Sequence, residues 1–497
     1  MNKKQRSLRL LLHCEDASVP YLTPYFLKEH FSPEKKLIKD HLSLGIQLRD
    51  GSVVPTYERK VKSVRKKKKK KTSESSNDGS SDSKVLSENT KISNEKKDQG
   101  QNLFNNSKPT GYTFVGRSLP SHFCIPDGHH IISVPAFDII DQYKFPNSKK
   151  NKKKGKLNVA IPSSTPKELI LRTQNGYQKI NCNLFVNVIQ GLSAKYISHV
   201  ALYDQATNAT NNGSSNWKKK NMQSIERTKS WTDNCLEKSD SLRIWIPIVG
   251  GDDLQSRKSA MEGALSSISH SNMNENVEGI AFIGWHHIES KEIRANVLQS
   301  CLSMMKPKFN TLQSVVLATQ GLEQIMEAAL AGVNIIGSNL PKLLAKSSKA
   351  LSLDLYGWRA NSEEDKRELG KKFSLPNTSS DKHNSWKITR TDSGKHTKIE
   401  SSSNCVTTMG VLDLNEKRYA TDTSPLLRGC NCFSCYNGQH TRAYIHHLVN
   451  SRELLAEILL FIHNLYHILE LMHELSDAIG MGKGELFYDY ILKQMKI

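Results

Sequence analysis

Short apolar segments, each ending in glycine or a polar residue, recur through the middle of the chain and constrain its fold more than any other feature. They are rich in valine and isoleucine, which is typical of strands buried on both faces of a parallel sheet. In chain order they are residues 196–204, 242–251, 279–285, 314–319 and 332–337. Between the last two lies a segment with helical spacing of its apolar residues, so strand, helix and strand form a βαβ unit. Repeated units of this kind predict either a (β/α) barrel or a doubly wound sheet.

Positive charge is concentrated in three lysine-rich runs. The 497 residues have a formal net charge of +21, and most of it comes from ten Lys/Arg in residues 59–71, six lysines in 149–156 and three in 218–220. The rest of the chain is close to neutral. Runs of like charge repel themselves and are most often solvated inserts, with RNA phosphates, nuclear import and an anionic membrane surface as the alternatives.

Three thiols lie close together in Cys430-x-Cys432-x2-Cys435. The chain has nine cysteines, an odd number and too few for a disulfide scaffold of this length, which indicates a reducing compartment. Clustered thiolates there favour zinc, which accepts three cysteines and one histidine in a closed tetrahedron. A closed site has no open position for a reacting water, so the predicted zinc is structural.

Five of the histidines that follow the cysteines are candidates for the fourth ligand. His440 is so close to Cys435 that binding would strain the loop, and a short helical stretch at 441–449 contains the next two. A long amphipathic helix is predicted at 451–478, capped by Ser451, with an apolar face that starts at Leu454 and Leu455. Its first turns could present a histidine to the loop. The candidates are His440, His446, His447, His463 and His467.

Polar segments divide the chain into three predicted parts. Residues 1–360 form a (β/α) barrel interrupted by disordered inserts at about 59–106 and 147–156. Residues 361–403 are a polar insert, and 404–497 form a zinc-binding subdomain with C-terminal helices. The first fourteen residues contain too short an apolar stretch for a signal peptide, and residues 454–475 contain too many polar groups for a bilayer span. We therefore expect a cytoplasmic protein, at most peripheral on a membrane.

Few other side chains suggest a site. Asp204, at the end of a predicted strand, is a candidate pocket carboxylate, although a turn or cap explains it equally simply. Gly250-Gly251-Asp252-Asp253 could form a ligand-binding turn but matches no phosphate-binding motif, and His286-His287 is similarly unspecific.

Residues 422–474 closely resemble the zinc region of the tRNA-guanine transglycosylase family. The likeness lies in C-x-C-x2-C, then H-T-R-A-Y-I-H-H-L, then the pair His463-Asn464. It implies a TIM-type (β/α)8 barrel and a structural zinc ion bound by Cys430, Cys432, Cys435 and His463. The spacing from the last cysteine to that histidine is two residues longer than in the family, and the extra residues fall within 436–439.

Weaker resemblance extends back through residues 242–260 and puts the catalytic residues in question. Active family members have an aspartate nucleophile where this chain has Gly337, and no Ser-Gly-Gly-Phe-Gln string for their second aspartate occurs here. Val249 replaces an expected glutamine, and Leu343 an expected arginine. The resemblance therefore implies a subunit with no catalytic residues, not an enzyme by itself.

The implied partners are a catalytic subunit and tRNA. Together the two subunits would exchange guanine for queuine at the wobble position of tRNAs with GUN anticodons, in queuosine biosynthesis. Two alternatives remain: an active transglycosylase with relocated carboxylates, such as Asp204, and a zinc-containing RNA-binding protein that uses the lysine runs. Subunits of this type occur in the cytoplasm and on the mitochondrial outer membrane, which adds possible contact with anionic lipid.

Overall fold

A computed structural model describes the chain in separate ranges. These are 8–14, 19–32, 34–47, 129–135, 164–173, 176–192, 197–204, 216–238, 242–270, 276–305, 309, 311–359, 387–388, 399–400, 406–407 and 410–495. The predicted inserts at 59–106 and 147–156 lie outside the described residues. So does the polar insert at 361–403, apart from two short strands.

Within these ranges, eight parallel strands close into a barrel. Around the barrel, β1 is followed by β8, β7, β6, β5, β4, β3 and β2, which pairs again with β1. This closure confirms the TIM-type barrel and decides against a doubly wound sheet. The strands are β1 Arg9–His13, β2 Leu42–Gln47, β3 Ile131–Val134, β4 Ile197–Val200, β5 Ile244–Ile248, β6 Val277–Phe282, β7 Gln313–Val316 and β8 Ile335–Gly337.

Helices connect the strands and cover the outside of the barrel. Helices α1 and α2 follow β1, and a hairpin of Glu168–Thr173 and Gly176–Asn181 precedes α3. Each barrel strand is buried, as the apolar sequence pattern requires. The helices are α1 Pro24–His30, α2 Lys36–His41, α3 Cys182–Leu192, α4 Trp217–Lys238, α5 Leu254–His270, α6 Lys291–Met305, α7 Leu322–Leu330 and α8 Leu340–Lys346.

The C-terminal part begins with a small antiparallel pair of strands. Strand β9, Lys349–Ser352, pairs with β10, Gly410–Asp413. Three helices follow, namely α9 Arg442–Asn450, α10 Leu454–Gly480 and α11 Gly484–Met495. A three-stranded antiparallel sheet of two-residue strands, Lys387–Ile388, Ile399–Glu400 and Val406–Thr407, lies between β9 and β10 in the chain.

The predicted start of the long helix is wrong by three residues. Helix α10 begins at Leu454, and Ser451 is instead the C-cap of α9. The two helices are separate because Arg452 between them has a left-handed backbone, with φ of 55°. Leu454 and Leu455 were expected in the apolar face, but they are 63% and 39% exposed at the open start of the helix.

Helix α10 is also the one helix in the described ranges whose length and composition would allow it to cross a membrane. In its most apolar window, 67% of the residues are buried inside the protein. It packs against α8, α2 and β9. A buried core helix satisfies the same criterion, so the length and hydropathy of α10 are accounted for by packing.

Candidate metal centre

The four sequence-predicted ligands meet in one buried cluster. Sulfur atoms of Cys430, Cys432 and Cys435 lie 3.8, 3.5 and 3.3 Å from Nδ1 of His463. The side chain of His463 is fully buried, and the three cysteines are buried as well. All four donor atoms lie within 4.8 Å of one another, an arrangement that can hold a metal ion.

The spacing of the donor atoms fits a tetrahedral ion. With Zn–S near 2.3 Å and Zn–N near 2.0–2.1 Å, a tetrahedral angle separates sulfur from nitrogen by about 3.6 Å. The three S···Nδ1 distances bracket that value. Because the four protein atoms complete the tetrahedron, such a site is closed to substrate or water.

The cysteine loop is shaped by its own backbone and clamped to helix α10. The amides of Cys435 and Tyr436 donate to the carbonyl oxygen of Cys432, at 3.1 and 2.9 Å, which turns the chain so that the sulfurs converge. Between Cys432 and Cys435, the buried hydroxyl of Ser434 donates to the carbonyl oxygen of Leu459, 2.7 Å away. This bond holds the loop one turn before His463.

Strand β9 orients the histidine from the other side. Nε2 of His463 lies 2.7 Å from the carbonyl oxygen of Leu351 and must donate to it, since a carbonyl only accepts. That bond fixes the tautomer and leaves the lone pair of Nδ1 facing the sulfurs. Backbone or carboxylate partners of this kind commonly orient metal-binding histidines.

Asn464 completes the junction between β9 and α10. Its side-chain oxygen accepts from the amide of Leu351 at 2.8 Å, and its side-chain nitrogen donates to the carbonyl of Lys349 at 2.9 Å. One edge of β9 pairs with β10, and these side chains satisfy the other. No local sequence pattern indicated a role for Ser434, and only the His463-Asn464 pair pointed to Asn464.

Hydrogen bonding within the cluster favours the ionised form of one thiol. Hydrogen bonds from Cys430 and Cys432 lower the pKa of Cys435 well below its usual value. Burial alone lowers the pKa of His463, but attraction to the sulfur of Cys435 and the contact with Cys432 outweigh it and leave the pKa raised. Zinc coordinates thiolates and a neutral imidazole, so an ion that binds here displaces the protons favoured by the raised pKa values of Cys430 and His463.

The other candidate histidines have different partners. His440 stacks on Tyr444, with ring centroids 5.8 Å apart, and His447 is exposed on α9. Nδ1 of His446 lies 2.7 Å from the carbonyl of Leu414, and Nε2 of His467 accepts from the amide of Leu353 at 3.3 Å. His463 is therefore the histidine that the fold brings to the cysteines.

A second group of possible ligands is already neutralised by an arginine. His473, Glu474 and Asp477 converge on the far half of α10. The guanidinium of Arg359 donates to Glu474 at 2.7 Å and to Asp477 at 3.2 Å. These contacts explain the carboxylates as partners of Arg359.

Asp204 follows β4 and forms an ion pair. Nε and Nη2 of Arg227, on α4, lie 2.7 and 2.6 Å from one carboxylate oxygen. The amide of Asp204 donates to the hydroxyl of Thr228 at 3.0 Å. These contacts join β4 to α4, the helix that follows it.

The glycine pair after β5 forms a tight turn closed by an arginine. Gly250 and Gly251 have φ of 140° and 64°, and Arg257 on α5 is fully buried beside them. Its guanidinium donates to the carbonyls of Gly251 at 2.8 Å and Ile248 at 2.7 Å.

Burial, and secondarily the charge of Arg257, lowers the pKa of His287, in the turn after β6, to about 4.

Gly337, the last residue of β8, lies directly against the backbone that follows β7. A Cβ atom built on Gly337 would lie 1.9 Å from the carbonyl oxygen of Leu317, far inside any allowed contact. The backbone there has no room for any side chain, including a carboxylate. Val249, at the position of an expected glutamine, is buried, and Leu343 is half-buried on α8.

A known protein family matches the part of the chain that contains the cysteine-histidine cluster. The family described as queuine tRNA-ribosyltransferase matches residues 201–496. Among curated relatives, queuine tRNA-ribosyltransferase accessory subunit 2 of Culex quinquefasciatus is 29% identical over 57% of this chain and 56% of its own length. The proteins of that name from Gallus gallus and Homo sapiens are 26% and 29% identical, over 67% and 54% of this chain and 72% and 60% of their own lengths. The chain thus matches little more than half of two of these relatives.

Proposed function

Because the chain belongs to the queuine tRNA-ribosyltransferase family, we propose that it is the non-catalytic subunit of that enzyme. It pairs with a catalytic subunit and supports exchange of guanine for queuine at the wobble position of tRNAs with GUN anticodons. One observation carries the proposal. A nucleophilic carboxylate would have to project from a strand end, and at Gly337 the carbonyl oxygen of Leu317 occupies the space that its Cβ needs.

The proposed cofactor is one structural zinc ion. Support comes from the donor set, three thiolates and an imidazole, and from S···N distances near those of a zinc tetrahedron. Cys430, Cys432, Cys435 and His463 would hold the ion. It would supply no Lewis-acid chemistry, because the protein atoms fill its coordination positions, and its role is to join the cysteine loop to α10.

The proposed contact with the catalytic subunit is an apolar surface beside the cluster. Phe433, Tyr436 and Tyr444 are 38%, 54% and 40% exposed there, and Phe433 packs edge-on against Phe26 of α1, with centroids 5.0 Å apart. Exposed aromatic residues held in place by their neighbours are typical of the centre of a protein interface.

Proposed contacts with tRNA come from the lysine runs. The exposed lysines at 218–220 lie on the first turn of α4, which follows β4, and the chain enters the segments that carry the other runs after β2 and β3. These three neighbouring strands end at the same rim of the barrel, where TIM barrels place their functional loops. Phosphate contacts by such residues give salt-dependent affinity without sequence readout. The cytoplasm, with peripheral contact to the mitochondrial outer membrane, is the proposed location.

Guanine exchange measured with purified proteins tests the assignment. We expect no incorporation of labelled guanine into tRNA by this chain alone, and exchange when a catalytic subunit is added, with a complex of one chain each. Phe433→Asp with Tyr444→Asp should weaken that complex by at least about ten-fold, which corresponds to about 1.4 kcal/mol. Leu486→Asp, similarly exposed on α11, is the matched control and should leave assembly unchanged.

Two results would contradict the proposal. Robust exchange by the isolated chain, lost on Asp204→Asn, would favour an active enzyme with relocated carboxylates. Salt-dependent tRNA binding with no assembly on any catalytic subunit would favour a simple RNA-binding protein.

A further inference from the structure

Two cysteines far in sequence from the metal cluster touch each other. The sulfur of Cys182, the first residue of α3, lies 3.5 Å from that of Cys235 on α4. Cys235 is fully buried, whereas Cys182 is only partly buried. Neither side chain contributes to the function proposed above, and both thiols are free.

The surroundings shift the pKa values of the two thiols in opposite directions. Cys182 occupies the first turn of a helix, where backbone amides favour a thiolate. Its neighbour Asn183 accepts a hydrogen bond from Lys238, 2.5 Å away, so an ammonium group lies close by. The hydrogen bond from Cys235 lowers the pKa of Cys182, and the same bond raises the pKa of Cys235.

The pairing differs from the environment of another buried cysteine. Cys301, on α6, is fully buried, and its sulfur lies 3.9 Å from the carbonyl oxygen of Arg257. Burial raises the pKa of Cys301 to about 11. Near neutral pH, Cys301 is therefore less ionised than Cys182, whose pKa is shifted in the opposite direction.

We propose that Cys182 and Cys235 form a peroxide-responsive thiol pair that closes to a disulfide. The Cys182 thiolate attacks one oxygen of hydrogen peroxide, the O–O bond breaks, and a sulfenic acid and hydroxide form. The sulfur of Cys235 then attacks the sulfenic sulfur, and its proton leaves with the displaced hydroxyl as water. The two thiols lose two electrons, and peroxide is reduced to two water molecules.

The bridge would join two elements around one barrel strand. A disulfide needs a sulfur separation of about 2.0 Å, so the two sulfurs, now 3.5 Å apart, must come about 1.5 Å closer. The chain between the two cysteines contains β4, Asp204 and the exposed lysines at 218–220. Oxidation would therefore link the helix before β4 to the helix after it, next to one of the lysine runs.

Peptide mapping of the full chain tests the proposal. The zinc-loaded protein is treated with hydrogen peroxide under native conditions, remaining thiols are alkylated, and the digest is analysed without reduction. We expect a peptide pair joined through Cys182 and Cys235 that dithiothreitol separates, at peroxide doses that leave most of Cys301 unmodified. Zinc content is followed in the same samples, since oxidation of the metal cluster would release the ion.

Substitutions separate the two roles. Cys235→Ser should leave a sulfenic acid on Cys182 that dimedone traps, and Cys182→Ser should leave Cys235 unmodified. Cys301→Ser is the control and should not alter the bridge. The proposal is overturned if native protein becomes sulfenylated or alkylated at Cys182 with no bridged peptide, or if the bridge forms only in urea.

Discussion

A single residue, Gly337, distinguishes the end of β8 from a strand that could carry a nucleophile. Pairing of β8 with β7 places Ile336 opposite Val316. The residues that follow these two in the chain are Gly337 and Leu317. The two backbones approach so closely there that a Cβ on Gly337 would overlap the carbonyl oxygen of Leu317. Glycine is needed for this close approach, so the backbone at the end of β8 leaves no room for a side chain at residue 337.

Gly337→Asp should therefore destabilise the barrel without creating exchange activity. We expect the free energy of unfolding to fall by about 3 kcal/mol or more, because overpacking a close-packed core forces backbone shifts. Urea denaturation measures the loss, and the guanine exchange assay checks the activity. Gly263→Ala on α5 is the control: its Cβ would meet only a flexible lysine at 3.4 Å, and alanine favours a helix by up to about 1 kcal/mol. Exchange by Gly337→Asp at unchanged stability would contradict this account.

At the scale of elements, side chains of helix α10 form the hydrogen bonds that a second neighbouring strand would form with β9. His463, Asn464 and His467 supply the hydrogen-bonding groups that the free edge of β9 requires. The same face presents Nδ1 of His463 to the cysteine loop. Contacts with β9 therefore orient the histidine toward the cysteine loop.

Asn464→Leu should weaken this junction strongly. The leucine has a similar volume but leaves the amide of Leu351 and the carbonyl of Lys349 buried without those partners. Each unsatisfied group costs about 1–3 kcal/mol, so we expect a loss of about 3 kcal/mol in urea denaturation. Asn450→Leu, at an exposed position where the amide contacts His446 at 2.8 Å, should cost less than about 1 kcal/mol. Equal costs for the two variants would refute the strand-like role of Asn464.

At the scale of the whole molecule, the cluster connects three distant parts of the chain. Cys430, Cys432 and Cys435 lie in one loop, His463 on α10, and the bond to Leu351 leads to β9, beside the barrel. Helix α10 in turn packs on α8 and α2 of the barrel wall. An ion held by this cluster would therefore couple metal binding to the folding of the C-terminal part on the barrel.

Cys432→Ser should remove the zinc and lower the stability of the whole chain. We expect about one zinc ion per chain in the unaltered protein and a large fraction of that content lost in the variant, measured by elemental analysis. Thermal unfolding of the variant, and of the native chain after chelation, should begin at lower temperature, because the binding free energy of a structural zinc contributes to folding. Cys301→Ser, a buried cysteine outside the cluster, should keep its zinc. Unchanged zinc content in Cys432→Ser would exclude the site.

Much of the site was predictable because its signals are local. Three cysteines within six residues restrict the chemistry on their own, and apolar runs of Val and Ile predict parallel strands wherever they fall. Boundaries were less predictable: the start of α10 depends on the left-handed conformation of Arg452, which apolar periodicity does not record. Asn464 and Ser434 were missed because their partners, β9 and Leu459, become neighbours only after folding.

The sequence by itself determined the three cysteines of the cluster and the strand-forming segments, since each depends on residue type and short spacing, and the family resemblance aligned Gly337 with the nucleophilic aspartate. Only the tertiary structure decided that the strands close into a barrel, that His463 rather than His467 faces the sulfurs, and that the space beside Gly337 is filled by Leu317. The physical reason is the same in each case. Closure, ligand choice and close approach depend on groups that are far apart in the chain, and burial and hydrogen bonding select among them only when the elements pack together.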